Sequence, residues 1–137
     1  TNHRFGLDDA AMLKENHLAW SGDLKKSVKA IRQSAPWPSR INVEAENEQQ
    51  AVEAVNAGAD AVLLDEIAPQ LLKKLIPQLR ALAKQRRKDC GPTEIVLEAS
   101  GIKPVELKLY ADTGIDLISS SAPITRSNWV DFSMRFR

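Results

Sequence analysis

Short β-rich runs alternate with helical patterns along this chain, and that alternation limits the possible folds more than any other feature. Five runs rich in β-branched and apolar residues are bounded by turn residues, and a sixth alternates apolar and polar residues. They lie at 11–14, 40–45, 60–65, 94–99, 115–119 and 129–136. Strands and helices that alternate at this spacing predict right-handed βαβ units with parallel strands, so the fold class is α/β.

Caps, prolines and apolar residues at helical spacing predict four helices between the strands. The first follows Asp23 and stops before Pro36, the second covers 48–56 after Asn47, the third runs from about 69 to 84 with Pro77 as a kink point, and the fourth starts at Pro104. No repeat longer than one βα unit is evident, and no low-complexity linker divides the sequence. We therefore expect one domain segment over residues 1–137.

Polar side chains stand at successive predicted strand ends. They are Lys14, Glu44, Asp65, Glu98 with Ser100 and Gly101, and Ser119–Ser121. One carboxylate at a strand end is more often a helix cap or a surface ion pair, but a series of such strand ends is harder to explain in that way. Burying an unpaired carboxylate costs roughly several kcal/mol. The series therefore indicates a polar cavity in which these groups pair with one another or with a bound ligand. Active sites of β/α barrels are built at this end of the strands.

Composition excludes several classes of protein. The chain has 19 Lys and Arg against 18 Asp and Glu, a net charge of +1, which argues against general binding to nucleic acid or to an anionic membrane. The basic run 84–88 is interpreted as a solvated helix end. The single Cys90 excludes an intrachain disulfide and a multi-cysteine zinc site, and no apolar run approaches the ~20 residues of a membrane span. A cytoplasmic location is expected.

Small residues after the last two main strands suit a phosphate. Backbone N–H groups and hydroxyls of Ser100, Gly101 and Ser119–Ser121 could cradle it, and Arg126 could complete the shell. The alternatives are ordinary Ser/Gly turns and a solvated arginine. Near the start, His3 and Arg4 suit a planar carboxylate, although such a pair is most often simply exposed. For His17, a structural hydrogen bond is favoured over a role as a base.

Six stretches together resemble the quinolinate phosphoribosyltransferase family. They are 2–7 with Asn-His-Arg, 13–17 with Lys-Glu-Asn-His, 43–47, 57–65, 97–101 with Glu-Ala-Ser-Gly, and 110–116. They occur in the order and spacing of the family over nearly the whole chain. The resemblance implies the carboxyl-terminal portion of an open β/α barrel. It also implies that an amino-terminal domain and the first barrel strands are absent from this chain.

The resemblance further implies transfer of phosphoribose from phosphoribosyl pyrophosphate to quinolinate with decarboxylation. The products are nicotinate mononucleotide, pyrophosphate and CO2, a step of NAD synthesis. His3, Arg4 and Lys14 would bind the two carboxylates of quinolinate. Glu44 and Asp65 would hold the ribose and its developing positive charge. Mg²⁺ would be held mostly by pyrophosphate and water with only a few protein oxygens, and Glu44 and Asp65 could contact it through water. Lys14, Glu44 and Asp65 are thus the predicted catalytic residues.

By the same resemblance, Ser100, Gly101 and Ser119–Ser121 would bind the 5′-phosphate. Three departures from the family pattern bear on this site. Gly101 is followed directly by Ile102 rather than by a second glycine, the later loop lacks its usual Gly and His, and Asn42 replaces the first acidic residue of a Glu-x-Glu pattern. Arg126 is predicted to take over the phosphate contact of the missing histidine.

The implied basic half of the site is not in this chain, so we expect the isolated segment to be inactive. A homodimer or higher oligomer is expected. Two alternatives remain open. One is a sister phosphoribosyltransferase for another aromatic acid, and the other is a non-catalytic, phosphate-binding half-barrel that self-associates.

Overall fold

Five parallel strands form one sheet whose strands follow the order of the chain. The computed structural model describes residues 10–14, 17, 22–36, 39–87 and 90–125. The strands are β1 Ala10–Leu13, β2 Arg40–Ala45, β3 Ala61–Asp65, β4 Val96–Ser100 and β5 Leu117–Ile118. The predicted parallel α/β alternation is confirmed, with strand ends within about two residues of the expected ones, the usual uncertainty of such boundaries. The sixth predicted run, 129–136, lies outside the described residues.

Helices follow the strands; the first two begin after the predicted caps Asp23 and Asn47, the fourth begins three residues after Pro104, and the fifth was not predicted. They are α1 Leu24–Ser34, α2 Glu48–Ala57, α3 Pro69–Lys84, α4 Leu107–Ala111 after a 3₁₀ turn at Pro104–Glu106, and α5 Ala122–Thr125. The Asp23 side chain accepts a hydrogen bond from the Lys26 N–H, which holds the pKa of Asp23 below its usual value. Pro77 lies inside α3, which continues past it. Within the described ranges, no helix is long and apolar enough to cross a membrane.

The apolar core lies between the sheet and its helices. Residues of β2, β3 and β4 that point toward the helices alternate with residues that point away, as the pleat of a strand requires. The largest fully buried side chains are Val28, Ile41, Val43, Val55, Val62, Leu64, Leu72, Leu75, Leu79 and Leu97. All of them come from α1, α2, α3 and these three strands, so the other face of the sheet is left for polar side chains.

An ion pair fixes the amino end of β3 to β2 and α1. Asp60 accepts hydrogen bonds from the Ile41 N–H at 2.7 Å and from Nη2 of Arg32 at 2.9 Å. The same Arg32 nitrogen donates to the carbonyl of Gly58 at 2.8 Å. One buried carboxylate thus joins two strands and the helix that precedes them.

The same arrangement recurs one pair of strands later. Asp116 accepts from the Leu97 N–H at 2.9 Å and from Nη2 of Arg80 at 2.8 Å, and Arg80 also donates to the Gly114 carbonyl at 2.9 Å. We call these two sets, Arg32–Asp60 and Arg80–Asp116, the Arg–Asp clamps. Their equivalence shows a structural repeat of two βα units, which is longer than the single βα unit expected from the sequence.

The segment between α3 and β4 packs tightly on the turn after α2. Gly58 has φ +96°, and a Cβ there would lie 1.9 Å from the Cys90 carbonyl oxygen, so only glycine fits. Arg86 donates to the carbonyls of Ala59 and Pro92 at 2.9 and 3.0 Å. Burial lowers the pKa of Arg86 below its usual value. The interpretation of the whole run 84–88 as solvated is therefore wrong for Arg86, which stabilises this packing.

Candidate functional site

The face of the sheet that points away from the helices carries the polar side chains found at the strand ends. Glu44 pairs with Leu63, which pairs with Glu98, while Asp65 pairs with Ser100 one pleat further along. Paired residues of parallel strands share a face. The carboxylates of Glu44, Asp65 and Glu98 therefore lie on one surface at the carboxyl end of the sheet, as the sequence predicted for Glu44 and Asp65.

An ion pair links the end of β1 to β2 on this surface. The Lys14 Nζ lies 2.7 Å from Oε2 of Glu44, and the two side chains are 47% and 9% exposed. The ammonium thus offsets part of the cost of burying the carboxylate. Nearly half of the lysine side chain is exposed to solvent.

A hydrogen bond links the ends of β3 and β4. The Ser100 hydroxyl donates to Oδ1 of Asp65, and the Glu66 N–H donates to the Ser100 carbonyl at 3.3 Å. The structure thus brings the predicted catalytic carboxylate Asp65 together with Ser100, which was predicted to contact a phosphate.

The turns after β3 and β4 are in close contact. Gly101 has φ +74°, and a Cβ there would lie 2.6 Å from Cγ of Glu66 and 3.5 Å from Oδ1 of Asp65. Glu66 itself has φ +52°, a left-handed conformation that costs a non-glycine residue about 1–2 kcal/mol. The turns that follow β3 and β4 therefore restrict the backbone next to Asp65 and Ser100.

The serine loop 119–121 lies beside the turn after β4. The Ser119 N–H donates to the Ala99 carbonyl at 2.9 Å, and the Ser120 hydroxyl donates to the Ile102 carbonyl at 3.2 Å. The Ala122 N–H in turn donates to Oγ of Ser120 at 3.3 Å. The two predicted phosphate loops therefore meet, but these groups of Ser119 and Ser120 already serve to join them.

Three of the predicted site residues cannot be placed, and the one histidine that is described has a local role. His3, Arg4 and Arg126 lie outside the described residues, so their predicted contacts stay predictions. His17 is described: its Nδ1 accepts a hydrogen bond from the Lys14 N–H at 3.1 Å. The structural role favoured for His17 is the one observed.

Two further residues lie on the polar face: Glu98, which the sequence placed at a strand end without a specific role, and Asn42. Glu98 is only 6% exposed, although the neighbouring strands place it between Leu63 and Leu117. Asn42 lies one pleat below Glu44, and its buried Oδ1 has no hydrogen-bond donor among the described residues. The position of Glu98 near a predicted strand end was the signal that put it in the series of polar strand-end residues.

The donor set of the described part bears on the expected Mg²⁺. No group of three or more His, Cys, Asp or Glu side chains in those ranges could hold a metal ion together. Glu44 and Asp65 supply carboxylate oxygens on one face, each already engaged by Lys14 or Ser100. Such a set suits an ion that keeps most of its ligands from water and substrate phosphates, which is the usual habit of Mg²⁺.

Comparison with known proteins supports the resemblance seen in the motifs. The family profile described as "Quinolinate phosphoribosyl transferase, C-terminal domain" matches residues 1–135. A probable nicotinate-nucleotide pyrophosphorylase [carboxylating] of Synechocystis is 40% identical over 98% of this chain and 43% of its own length. The human nicotinate-nucleotide pyrophosphorylase [carboxylating] is 33% identical over 98% of this chain and 42% of its own length. The chain thus spans less than half of these relatives.

Solved structures show the same fold. NadC from Streptococcus pyogenes superposes with a TM-score of 0.71 at 31% identity, over 98% of this chain and 44% of that one. The nicotinate-nucleotide pyrophosphorylase of Francisella tularensis gives 0.71 at 31% identity, over 88% of this chain and 39% of that one. The predicted fold class, the carboxyl-terminal portion of an α/β barrel fold, is confirmed.

Proposed function

This chain belongs to the quinolinate phosphoribosyl transferase C-terminal domain family, and from that premise we propose that it supplies part of the active site of a decarboxylating phosphoribosyltransferase. The substrates are phosphoribosyl pyrophosphate and quinolinate, and the products are nicotinate mononucleotide, pyrophosphate and CO2. The observation that carries the proposal is the Lys14–Glu44 ion pair beside the Asp65–Ser100 hydrogen bond at the carboxyl ends of neighbouring strands.

The proposed reaction has two bond-changing stages. The ring nitrogen of quinolinate forms a bond to the anomeric carbon of the ribose as the bond to pyrophosphate breaks. The carboxylate next to that nitrogen then leaves as CO2, and its electron pair stays on the ring carbon, which takes up a proton. The site must therefore hold two anions, the dicarboxylate and the pyrophosphate, around a transient cation.

Lys14 is the described cation suited to the dicarboxylate. Its ammonium pairs with Glu44, and nearly half of its side chain is exposed to solvent. A carboxylate of quinolinate that competes for Lys14 would free Glu44 to accept hydrogen bonds from the ribose hydroxyls. His3 and Arg4 would complete the cationic side of the acceptor pocket.

Glu44 and Asp65 are suited to the positive charge that develops on the ribose. Carboxylates held in place before the reaction stabilise such a charge without reorganising, which is the source of most electrostatic catalysis. The Ser100 contact holds Asp65 in this way, and burial restricts the Glu44 side chain, which is 9% exposed. Mg²⁺, carried by the pyrophosphate and reached by these carboxylates through water, would neutralise the leaving group.

The 5′-phosphate would lie at the two joined loops, Ser100–Gly101 and 119–121. Their contact through Ser120 and Ile102 supports this placement. Arg126 would replace the contact of the histidine that the family pattern has and this sequence lacks.

The test is a turnover assay with quinolinate, phosphoribosyl pyrophosphate and Mg²⁺ on the natural protein that carries this chain. Formation of nicotinate mononucleotide with equimolar CO2 is expected for the wild type. Lys14→Met should lower kcat/KM for quinolinate by at least about 100-fold, because it removes a charge-assisted contact made in the transition state. Lys29→Met, at an exposed position of α1, is the matched control and should behave as wild type. Product that retains both carboxylates, or an unaffected Lys14 variant, would contradict the proposal.

Completeness and assembly form a second part of the proposal. Because the chain spans 43% of the Synechocystis relative, we expect the 137 residues alone to lack turnover. Exposed apolar side chains in the part of the chain after β4, Val105, Leu109, Leu117 and Ile124, support association with a further subunit. Robust turnover by the chain alone, or a stable monomer of the natural protein in light scattering, would contradict these expectations. A cytoplasmic location stays a prediction.

A further inference from the structure

We propose that Ser100 is a positioning residue that fixes the carboxylate of Asp65, rather than a direct donor to the substrate phosphate. The proposal rests on the proposed function, because it assigns how one member of that site acts on another. It changes the role predicted from the sequence, in which the Ser100 hydroxyl belonged to the phosphate shell.

The contact itself is the first argument. The Ser100 hydroxyl donates to Oδ1 of Asp65, and the two residues are direct partners in the parallel ladder of β3 and β4. A serine hydroxyl has a single proton to donate. While that proton serves Asp65, the hydroxyl cannot also donate to a phosphate oxygen.

The backbone around the pair is the second argument. The Glu66 N–H donates to the Ser100 carbonyl, and Gly101 approaches Glu66 so closely that a Cβ at position 101 would overlap it. The Cα atoms of Asp65 and Ser100 are therefore held together by the ladder and by the turns that follow both strands. Under these constraints the Ser100 hydroxyl stays within hydrogen-bond distance of the Asp65 carboxylate, and the bond restricts the rotamers of Asp65.

The structural repeat is the third argument. The Arg–Asp clamps place Asp60 in correspondence with Asp116, and Ile41 with Leu97. By the same correspondence, Glu44 of β2 is equivalent in the repeat to Ser100 of β4. Lys14 at the end of β1 is likewise equivalent to Asp65 at the end of β3. Each unit of the repeat thus has one contact between neighbouring strand ends: Glu44 holds Lys14, and Ser100 holds Asp65.

Steady-state kinetics on the natural protein separate positioning from phosphate binding. Ser100→Ala should lower kcat by about 10- to 100-fold, the usual loss when a partner that orients a site residue is removed, while KM for phosphoribosyl pyrophosphate stays within about twofold. Ser100→Thr keeps the hydroxyl and should restore most of kcat. Ser34→Ala is the matched control, since its exposed hydroxyl bonds only to its own helix at Ala30 and Ile31.

A double-mutant comparison tests whether Ser100 acts through Asp65. In an Asp65→Ala background, adding Ser100→Ala should cost little further activity, because the group that it positions is gone. A Ser100→Ala variant with a raised KM for phosphoribosyl pyrophosphate and an unchanged kcat would overturn the proposal, and so would fully additive losses.

A structural readout keeps this inference separate from the proposed function. In crystal structures of wild type and Ser100→Ala, the Asp65 carboxylate should change rotamer or become disordered in the variant and stay fixed in Ser100→Thr. An Asp65 carboxylate that keeps its wild-type orientation in Ser100→Ala would overturn the positioning role. If wild type fails to convert quinolinate, the proposed function falls, and the crystal structures still decide the inference.

Discussion

Replacement of Asp60 by alanine should destabilise the chain more than the equivalent replacement of Asp116. Each carboxylate accepts from one strand N–H and one arginine, so both substitutions remove the same pair of hydrogen bonds. The difference between them is burial. The Asp60 side chain is 11% exposed and that of Asp116 is 35% exposed.

Burial sets the expected magnitudes. A hydrogen bond to a charged group contributes about 1.5–3 kcal/mol, and a buried donor left without a partner costs about 1–3 kcal/mol. Asp60→Ala and Asp116→Ala leave the N–H groups of Ile41 and Leu97, two residues that are 1% and 0% exposed, but water has little access to the space left by Asp60 and more to that left by Asp116. We therefore expect a loss of about 3 kcal/mol for Asp60→Ala. Water can replace the more open Asp116 carboxylate, so a loss of about 1 kcal/mol is expected there.

Urea denaturation of the full chain, followed by circular dichroism, measures both losses from the midpoint and the slope. Asp112→Ala is the control, because this aspartate is exposed and substitutions at such positions usually change the free energy of unfolding by less than about 0.5 kcal/mol. Equal losses for Asp60→Ala and Asp116→Ala, or a larger loss for Asp116→Ala, would refute the reasoning from burial. A changed slope would show that the substitution altered more than the clamp.

Three further results are expected. Burial, with Glu106 and Glu66 nearby, raises the pKa of Tyr110, the only tyrosine of the sequence. Ultraviolet titration of the folded chain should therefore give a midpoint above 10.0. The stability that depends on the neutral phenol should be lost as pH rises through that midpoint. An unshifted midpoint would contradict this. Glu66→Asn should raise the free energy of unfolding by up to about 1 kcal/mol, since Asn tolerates left-handed backbone, and a lower urea midpoint would count against it. Glu44→Gln should lower kcat by about 100-fold or more. The control Glu53→Gln, on the exposed face of α2, should keep the wild-type kcat. Equal kinetics of the two variants would exclude the role of Glu44.

The fold and part of the site were predictable because their signals are local. Runs of β-branched residues and helix caps set the elements, as Asp23 and Asn47 show by capping the expected helices. The Lys14–Glu44 pair was predictable in kind, because buried carboxylates require partners and both residues end apolar strands. Chemical type and position at a strand end were sufficient for these predictions.

The remaining contacts join residues far apart in the chain, as the Lys14–Glu44 pair does, but nothing in the sequence marks which residues they join. Arg32 and Asp60 are separated by 28 positions, Arg80 and Asp116 by 36, and Asp65 and Ser100 by 35. No periodicity within one element signals such a pair, and the two clamps share only the short Gly-x-Asp sequences Gly58–Asp60 and Gly114–Asp116. The repeat of two βα units therefore becomes visible only when hydrogen bonds are compared, and with it the role of Ser100.

The two ends of the sheet divide stability from chemistry. At the amino ends, each charged group of the clamps has its partner and joins a helix to two strands. At the carboxyl ends, three carboxylates crowd one face and Glu66 adopts a left-handed backbone, both of which cost stability. A sheet held firmly at one end can keep such unfavourable groups in fixed positions at the other. Loss of the Asp60 clamp should therefore weaken the chain without changing which groups meet at Glu44 and Asp65.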